Sequence, residues 1–323
     1  MNLATINLPD SIILGTASSA ATDAYNALVR VGIDDPHTIL NYSYAYTRGS
    51  DYKFTIQSKQ SPNYYGSFTV EYTIPTNSFV VPYTVLNNDQ SGEWSGWTSG
   101  GMRFSEIDPI HHFVECYDTG RNVSAALEGV DVVIGSTITY LSITYTVKGL
   151  GNCYSADRGA LGFMGSSTKF ITGTITLPST IEYLGRNCFR NQIFTTGIIL
   201  GGNERMIGEC PFAGCNSVAS LDLPESAKTI RYAAFCATTD YPDVPSSSLT
   251  TIWLRSNTFI PATEYVGGGG DILFQDADHF SKNGKQPKDG IIYVPSSLLS
   301  RYRNDPGWSS KLYDPDNMFQ PIL

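Results

Sequence analysis

Charge is the first thing that this sequence has little of. Asp, Glu, Lys and Arg together make up 16% of its 323 residues, against ~25% in an average globular chain. The 21 basic residues are outnumbered by 30 acidic ones, and the formal net charge is −9. A protein that binds the phosphate backbone needs a basic face, and no run of Lys and Arg occurs. We therefore expect no nucleic-acid partner.

A long apolar run is also missing. No stretch approaches the ~18–20 apolar residues of a membrane-spanning helix, so we expect no membrane span. Residues 1–10 lack the basic and apolar regions of a secretory signal, and we expect no leader there. The six cysteines are then expected to be buried thiols rather than disulfides. Zinc bound by Cys210 and Cys215 is the alternative, although no histidine lies near them in the sequence.

Catalytic signatures are lacking too. Residues 96–100 have the wrong spacing for a Gly-x-Ser-x-Gly nucleophile elbow. The glycine run at 267–270 has no following lysine to build a phosphate-binding loop. His111 and His112 are adjacent, so on a strand they would point to opposite faces, and we expect them to serve in packing. The sequence therefore predicts a non-enzymatic protein with no cofactor.

One acidic loop is a candidate metal site. Asp271, Asp276 and Asp278 lie close together in the sequence. Carboxylate oxygens are the ligands that Ca²⁺ prefers, but the spacing is not that of an EF-hand. The loop therefore either stays solvated or holds an ion.

An internal repeat of 23 residues is what the sequence does contain. Four series of apolar residues share this spacing: Ile175, Ile198 and Leu221; Leu177, Leu200 and Leu223; Leu184, Ile207 and Ile230; and Phe189, Phe212 and Phe235. A fixed period of roughly 20–29 residues with alternating apolar positions indicates a leucine-rich-repeat solenoid.

Each repeat is predicted to form one coil. In residues 175–177 the alternation places Ile175 and Leu177 on one face of a short strand. A turn follows, and Leu184 and Phe189 return to the same interior. One copy cannot bury this face alone, so neighbouring coils must stack into a parallel ladder. The Leu177, Leu184 and Phe189 series are therefore the predicted repeat core.

The predicted solenoid spans residues 131–323. Weaker copies are recognised at 143–154, 249–254 and 290–295, separated by insertions. A solenoid leaves its terminal core face bare. Residues 298–323, which contain Tyr302, Trp308, Tyr313 and Phe319, are expected to cover it as a C-terminal cap.

The repeats resemble BspA-type leucine-rich repeats over about residues 137–312. The shared pattern is (apolar)-x-Leu-Pro followed by Ile-Gly-x-x-(Ala/Cys)-Phe-x-x-Cys, and residues 212–215 fit it best. Gly201-Gly202 replaces Leu-Pro in the second copy, and Arg231 replaces glycine in the third. The resemblance implies a binding scaffold rather than a catalyst. Such repeats occur in surface proteins of gut and oral anaerobes, in some protists, and in phages of gut bacteria.

The first 130 residues give weaker signals. Residues 1–36 are predicted to form an arm and a helix over 16–31, which either packs on its own domain or docks into a partner. Residues 37–130 contain short alternating segments separated by turn residues, which favours an antiparallel β-sandwich-like attachment domain. The predicted strands are 42–46, 52–56, 68–72, 79–86, 111–117 and 130–134.

Two loops in this region carry aromatic residues. Trp94 and Trp97 lie in a Gly/Ser-rich segment, and Tyr64 and Tyr65 lie in another. Exposed Trp and Tyr are favoured where a protein grips a partner or a sugar ring. These four residues are the candidate partner- or glycan-binding site, unless their rings fold back as loop anchors.

Three functions are compatible with these features. The first is a virion structural protein, a decoration or fibre component that docks through its N-terminal part and presents the repeats. Its partners would be other virion proteins and a host surface protein or glycan, and it would self-associate. The second is a bacterial surface adhesin located on the cell surface. The third and weakest is a glycan-degrading phage enzyme.

Overall fold

The computed structural model describes residues 11–13, 45–48, 53–57, 67–73, 78–82, 101–108, 111–118, 131–140, 142–150, 173–185, 187–190, 192, 195–208, 210–231, 233–237, 248–262, 273–274, 277–282 and 287–323. In these ranges the chain is mainly β, which confirms the predicted class. The α-helices described are short and lie close to the C-terminus.

The first strands form a mixed four-stranded sheet. Its members are β1 (Ser11–Ile13), β2 (Ala45–Arg48), β3 (Lys53–Gln57) and β4 (Ser67–Thr73). Strands β2, β3 and β4 pair antiparallel, as their alternating segments predict. Strand β1 runs parallel to β4 at the edge of the sheet, which the sequence did not indicate. The helix predicted over 16–31 lies outside the described residues.

Three antiparallel strands follow. They are β5 (Ser78–Pro82), β6 (Gly101–Asp108) and β7 (Phe113–Asp118), paired in sequence order. The predicted segments 79–86 and 111–117 match β5 and β7 to within a few residues, whereas β6 was missed. In its sequence, Gly-Met-Arg-Phe-Ser-Glu-Ile-Asp, the alternation of Met102 and Phe104 breaks at Glu106-Ile107, where the pairing with β7 also shifts register.

The repeat region adds twelve strands in the described residues. They are β8 (Val132–Val133), β9 (Thr137–Tyr140), β10 (Ile143–Leu150), β11 (Thr174–Thr176), β12 (Tyr183–Leu184), β13 (Gly197–Ile199), β14 (Met206–Ile207), β15 (Ser220–Leu223), β16 (Thr229–Ile230), β17 (Thr251–Leu254), β18 (Ile291–Pro295) and β19 (Phe319–Ile322). One side of the solenoid carries two parallel sheets, β8-β11-β13 and then β15-β17-β18-β19. The other side carries β10, β12, β14 and β16, also parallel.

The predicted antiparallel sandwich over 37–130 finds no support in the described strands. Strand β7 pairs in parallel with β10, so β5, β6 and β7 extend the solenoid's own sheet. Val114 of β7 lies opposite Val147 of β10, and both side chains are fully buried in the repeat core. The physical reason is the open edge of the first coil. An unpaired strand edge and a bare core face are costly, and β7 covers both.

The 23-residue period becomes the register between coils. Ile175 lies opposite Ile198 on one side, and Leu184 lies opposite Ile207, which lies opposite Ile230, on the other. These residues belong to one buried cluster that runs from Val114 to Phe319. The parallel, stacked coils inferred from the spacing are therefore present.

A column of phenylalanine rings fills the third side of the coils. Phe189 stacks on Phe212 at a centroid distance of 5.8 Å, and Phe212 stacks on Phe235 at 6.3 Å with the rings almost parallel. Phe274 and Phe280 continue the column at 5.3 and 5.2 Å. Aromatic pairs at such separations gain about 0.5–1.5 kcal/mol beyond their buried area. The column therefore ties successive coils together.

The second repeat departs from Leu-Pro for a steric reason. A Cβ atom on Gly201 would lie 2.0 Å from the backbone oxygen of Pro178 in the preceding coil. Gly202 has a φ of +98°, a left-handed conformation that side chains disfavour. The buried Glu204 carboxylate then accepts hydrogen bonds from the amides of Gly201, at 2.6 Å, and Gly202, at 2.9 Å. This turn is held by a side chain where the first and third repeats have Pro178 and Pro224.

A left-handed residue recurs once per coil. Asn187, Cys210 and Ala233 have φ values of 57°, 51° and 53°, and they are one 23-residue period apart. Only asparagine among these is a residue that tolerates this region well. Each is followed closely by a ring of the phenylalanine column. The coil geometry therefore imposes this conformation regardless of residue type.

The C-terminal segment closes the far end of the stack. After β18 come a 3₁₀ turn (Ser296–Leu298), α1 (Leu299–Asn304), α2 (Pro306–Ser309) and α3 (Pro315–Met318). Asp305 caps α2 by accepting from the Trp308 amide, with Pro306 at the first helical position.

Buried aromatic side chains attach this cap to the last coils. Trp308, Tyr302 and Phe319 are fully buried, and Trp308 Nε1 donates to the Ile260 carbonyl at 2.8 Å. Tyr302 accepts from the Ile260 amide at 3.1 Å. Of the four aromatic residues expected here, Tyr313 alone is exposed.

Replacing Phe212 with alanine removes the middle ring of the column. We expect the free energy of unfolding to fall by about 3–5 kcal/mol, because a cavity replaces the ring that stacks on Phe189 and Phe235. Urea denaturation followed by circular dichroism measures this change. Phe212→Leu keeps most of the buried volume and should lose clearly less. An unchanged urea midpoint for Phe212→Ala would contradict the stacking register.

Replacing Ser142 with glycine should stabilise the protein. Ser142 is exposed at φ 68° in the two-residue turn between Tyr140 and Ile143, which pair across the hairpin. A residue other than glycine in the left-handed region destabilises the folded state by about 1–2 kcal/mol. Glycine removes this strain, but the larger backbone entropy that it loses on folding cancels about half of the gain. We expect a gain of about 0.5–1 kcal/mol in urea denaturation. Thr144→Gly, an exposed strand position two residues on, should instead destabilise.

Burial raises the pKa of Glu204 above its ordinary 4.5, against the lowering effect of the amide hydrogen bonds. The folded chain then binds this proton more tightly than the unfolded chain. The stabilising contribution is complete below the unfolded pKa and is lost as pH rises through the folded pKa. We expect the free energy of unfolding of the wild type, relative to Glu204→Gln, to decrease as pH rises from 4.5. If the free energies of unfolding of the two proteins changed with pH in parallel, this prediction would be wrong.

Candidate binding surface

One line of side chains faces outward from the two sheets on the first side of the solenoid. On β15, β17 and β18 alternate residues point inward, and the residues between them point outward. Within each sheet the register aligns the outward positions of successive strands, and β15 lies beside β13 without hydrogen-bonded pairing. We call this line the outer row; it consists of Val133, Thr176, Ile199, Asp222, Trp253, Tyr293 and Gln320.

The outer row begins with aliphatic residues. Val133 is 51% exposed and Ile199 is 54% exposed. Thr176 lies between them in register and is partly exposed. Single exposed apolar residues are ordinary on protein surfaces. Two β-branched residues on either side of one threonine, on a sheet, form a small apolar patch.

An ion pair lies at the centre of the row, where Asp222 of the row is bound by Arg255, the residue that follows β17. Arg255 Nε lies 2.6 Å from Asp222 Oδ1, and Arg255 Nη2 lies 2.7 Å from Asp222 Oδ2. This bidentate geometry fixes the plane of the guanidinium group. The hydrogen bond to Asp222 raises the pKa of Arg255, which keeps it charged. About half of each side chain remains accessible to solvent, so an exposed pair of this kind contributes little to stability.

The aromatic end of the row is a stacked pair. The rings of Trp253 and Tyr293 lie 5.5 Å apart at an angle of 12°. Both side chains are partly exposed. They project from adjacent parallel strands, at opposite positions in the register. Since Ile252 and Ile292 beside them are fully buried, the backbone that holds the two rings is anchored in the core.

The binding residues predicted from the sequence are separate from this surface in the chain. Trp94, Trp97, Tyr64 and Tyr65 all lie outside the described residues and stay a prediction. Of the acidic loop, Asp271 and Asp276 also lie outside them, and Asp278 is nearly buried.

The predicted repeat-core residues lie inside the solenoid. Leu177, Leu184, Phe189, Ile207, Phe212, Leu223, Ile230 and Phe235 are each at most 4% exposed. Leu200 is partly buried and packs against the same cluster. It precedes the Gly201-Gly202 turn, where the second repeat departs from the others.

The two histidines pack as expected, but from a different local structure. They lie in the turn before β7 rather than on a strand, and His112 has a φ of 54°. His111 stacks on Phe113 at 5.4 Å, and His112 meets the edge of Tyr145 at 5.5 Å. Both imidazoles thus pack on aromatic rings.

The cysteines offer no metal centre among the described residues. Cys188, Cys210, Cys215 and Cys236 are not in disulfides. The Cys215 thiol donates to the Phe189 carbonyl at 3.1 Å, and burial raises the pKa of Cys215 to about 12. No cluster of His, Cys, Asp and Glu with metal-binding geometry occurs in the part of the chain that the structure describes.

Sequence reasoning missed Trp253 and Tyr293. The signal was available, because Ile252-Trp253-Leu254 and Ile292-Tyr293-Val294 each flank an aromatic residue with two apolar ones. If the flanking residues face the core, the ring must face outward. What the pattern could not reveal is that the two rings meet. The strands were recognised, but their mutual register was hidden by the insertion between them.

A comparison with protein families identifies the repeats. Residues 163–259 match the BspA type leucine rich repeat region, in 6 copies. The chain therefore contains a BspA-type leucine-rich-repeat region, and the resemblance drawn from its motifs is confirmed. A comparison with curated proteins gives no match.

Solved structures that the chain resembles share low sequence identity with it. A leucine-rich repeat protein from Bacteroides capillosus is 19% identical, with a TM-score of 0.34, covering 48% of this chain and 95% of that one. The pneumococcal vaccine antigen PcpA is 15% identical, with a TM-score of 0.36, covering 54% and 45%. A leucine rich cell surface protein from Faecalibacterium prausnitzii is 16% identical, with a TM-score of 0.29, covering 54% and 48%. This chain thus spans less than half of the latter two.

Within the described ranges, no helix has the length and apolar character needed to cross a membrane.

Proposed function

We propose that this protein is a non-enzymatic adhesion protein of a bacterial surface, and that the outer row is the surface by which its repeats bind a partner. The observation that supports this most is the row itself. It presents a stacked Trp253–Tyr293 pair, an Arg255–Asp222 ion pair and two exposed aliphatic residues on one rigid sheet. The presence of a BspA-type repeat region supports a binding scaffold.

The composition of the row is that of an interface rather than of an ordinary surface. Trp, Tyr and Arg are the residue types most enriched among those that dominate binding energy. Most of the charged surface of an acidic protein repels partners of like sign, but the row carries its one acid in a neutralising pair with Arg255. A partner can therefore cover it without leaving an unpaired charge behind.

The rigidity of the underlying sheet favours binding at this surface. Because Ile252, Leu254, Ile292 and Val294 are fully buried, the strands under the two rings cannot shift independently of the core. Preorganised side chains lose less entropy on binding than mobile ones. The ladder therefore holds the row in the geometry that the partner meets.

A second candidate is a decoration or fibre protein of a phage particle. It is favoured by composition, since the chain combines 16% charged residues with 20 Tyr and 30 Gly. The two candidates differ in location. Quantitative mass spectrometry of washed cell envelopes beside density-purified particles separates them, because a virion component must show a fixed stoichiometry with capsid or tail proteins.

The binding surface is tested with full-length protein coupled to fluorescent beads. We measure bead retention on washed bacterial cells, on epithelial cell layers and on mucin. We expect retention on at least one surface, and a loss of about tenfold or more for Trp253→Ala combined with Tyr293→Ala, as for residues at the centre of an interface. The urea midpoint should move little, because only the stacking of two outward rings is lost.

Tyr313→Ala is the matched control. Tyr313 is also an exposed aromatic residue, at 53%, but it lies in the cap, away from the outer row. Its removal should leave retention at the wild-type level. Retention that survives the double substitution, or no retention on any of the three surfaces, would overturn the proposed binding role.

A further inference from the structure

We infer that the outer row binds an extended polypeptide segment, one with two apolar side chains about five residues apart, rather than a glycan or a folded domain. This inference rests on the proposed binding role of the row and specifies its partner. Three features of the row carry it: how the rings are oriented, how large the exposed strip is, and where its apolar ends lie.

The ring orientation argues against a sugar platform. Sugar rings stack on the open face of an aromatic ring. Trp253 and Tyr293 are nearly parallel and stacked at 5.5 Å, so each ring covers one face of the other. The outer faces of two parallel stacked rings point in opposite directions, so the pair offers a sugar no flat two-ring platform, and the ring edges are the surface that both rings present together. Ring edges are well suited to apolar side chains and to carbonyl groups, which belong to polypeptides.

The size of the strip argues against a folded domain. Paired strands lie ~4.8 Å apart, and β15 contacts β13 where the two sheets meet. The seven strands then make the row roughly 30 Å long, and strands of about four residues make it ~13 Å wide, an area of about 400 Å². A stable interface between folded proteins covers about 800 Å² on each partner. A long and narrow strip of half that area matches a single extended chain.

The positions of the apolar ends set the spacing in the partner. The aliphatic patch centres on Thr176, and the aromatic pair centres between Trp253 and Tyr293, three to four strands further along. At ~4.8 Å per strand this distance is about 17 Å, or about five residues of extended chain. Side chains on one face of an extended chain are separated by even numbers, so separations of four and six fit best.

The Arg255–Asp222 pair lies between these ends and suits the middle of such a segment. Its Nε and Nη2 groups are used by Asp222, while about 42% of the Arg255 side chain stays exposed. The exposed part can donate to a backbone carbonyl or a hydroxyl of the segment. A polar, uncharged centre flanked by two apolar side chains is the complementary sequence.

The experiment pans a displayed library of random peptides against the full-length protein. Peptides of about twelve residues span roughly 40 Å when extended, enough to cover the row. Enriched sequences are synthesised with a fluorophore and titrated by fluorescence anisotropy. We expect enrichment of two apolar residues separated by four or six positions, and loss of affinity of about tenfold or more with Trp253→Ala and with Ile199→Asp.

Ile143→Asp is the matched control for the second substitution. Ile143 is exposed, at 39%, and β-branched like Ile199, but it lies on the hairpin outside the outer row. Its substitution should leave peptide affinity unchanged. Circular dichroism and urea denaturation of all three variants confirm that each is folded before affinities are compared.

The opposing outcomes separate this inference from the proposed function. Glycan-array binding that depends on Trp253, without peptide enrichment, would overturn the peptide partner and leave the binding surface standing. Concentration-dependent dimers abolished by Ile199→Asp would make a second copy the occupant. Peptides that bind the row variants as tightly as the wild type, or no enrichment at all, would also overturn it. If bead retention were unchanged by the Trp253→Ala and Tyr293→Ala substitutions, the proposed function would be overturned as well.

Discussion

The stacking of apolar side chains from one coil onto the next is the constraint on which the rest of this structure depends. A coil built from strands of two to four residues cannot bury Leu184 or Phe212 within itself. Only the neighbouring coil supplies the covering surface, and it does so only in one register. That register fixes the inward positions, and with them the outward ones. The outer row is therefore a by-product of core packing, and it inherits the rigidity of the core.

A stack of this kind must be closed at both ends, and the two ends are closed differently. At the first coil, β7 continues the sheet and places Val114 against Val147. At the last coil, a segment of short helices packs Trp308 against Phe274 and Tyr302 against Phe319. Sheet extension satisfies backbone groups, whereas an aromatic plug covers apolar surface. Both remove the exposed face that would otherwise promote association with other molecules.

Between its ends the solenoid tolerates local departures because each coil needs only to keep its register. Glu204 holds the turn of the second repeat in place of proline, and Asn187, Cys210 and Ala233 adopt one left-handed conformation despite having different side chains. The outward positions are freer still, since no buried side chain of a neighbouring coil packs on them. Variation there changes what the surface binds without changing the fold. The binding role proposed for Trp253 and Tyr293 follows from this separation between a constrained interior and a permissive exterior.

The sequence by itself determined the period, the inward residues from Leu177 to Phe235, most of the strands, and the aromatic cap, because buried side chains at a fixed spacing leave a visible pattern. Tertiary structure alone decided that β7 joins the solenoid, and that Trp253 meets Tyr293. From Leu223 to Leu254 the spacing is 31 residues, and from Leu254 to Val294 it is 40. Insertions of unequal length conceal the register in the linear chain. Hydrogen bonding between parallel strands restores it, and only then do residues far apart in sequence become neighbours on one surface.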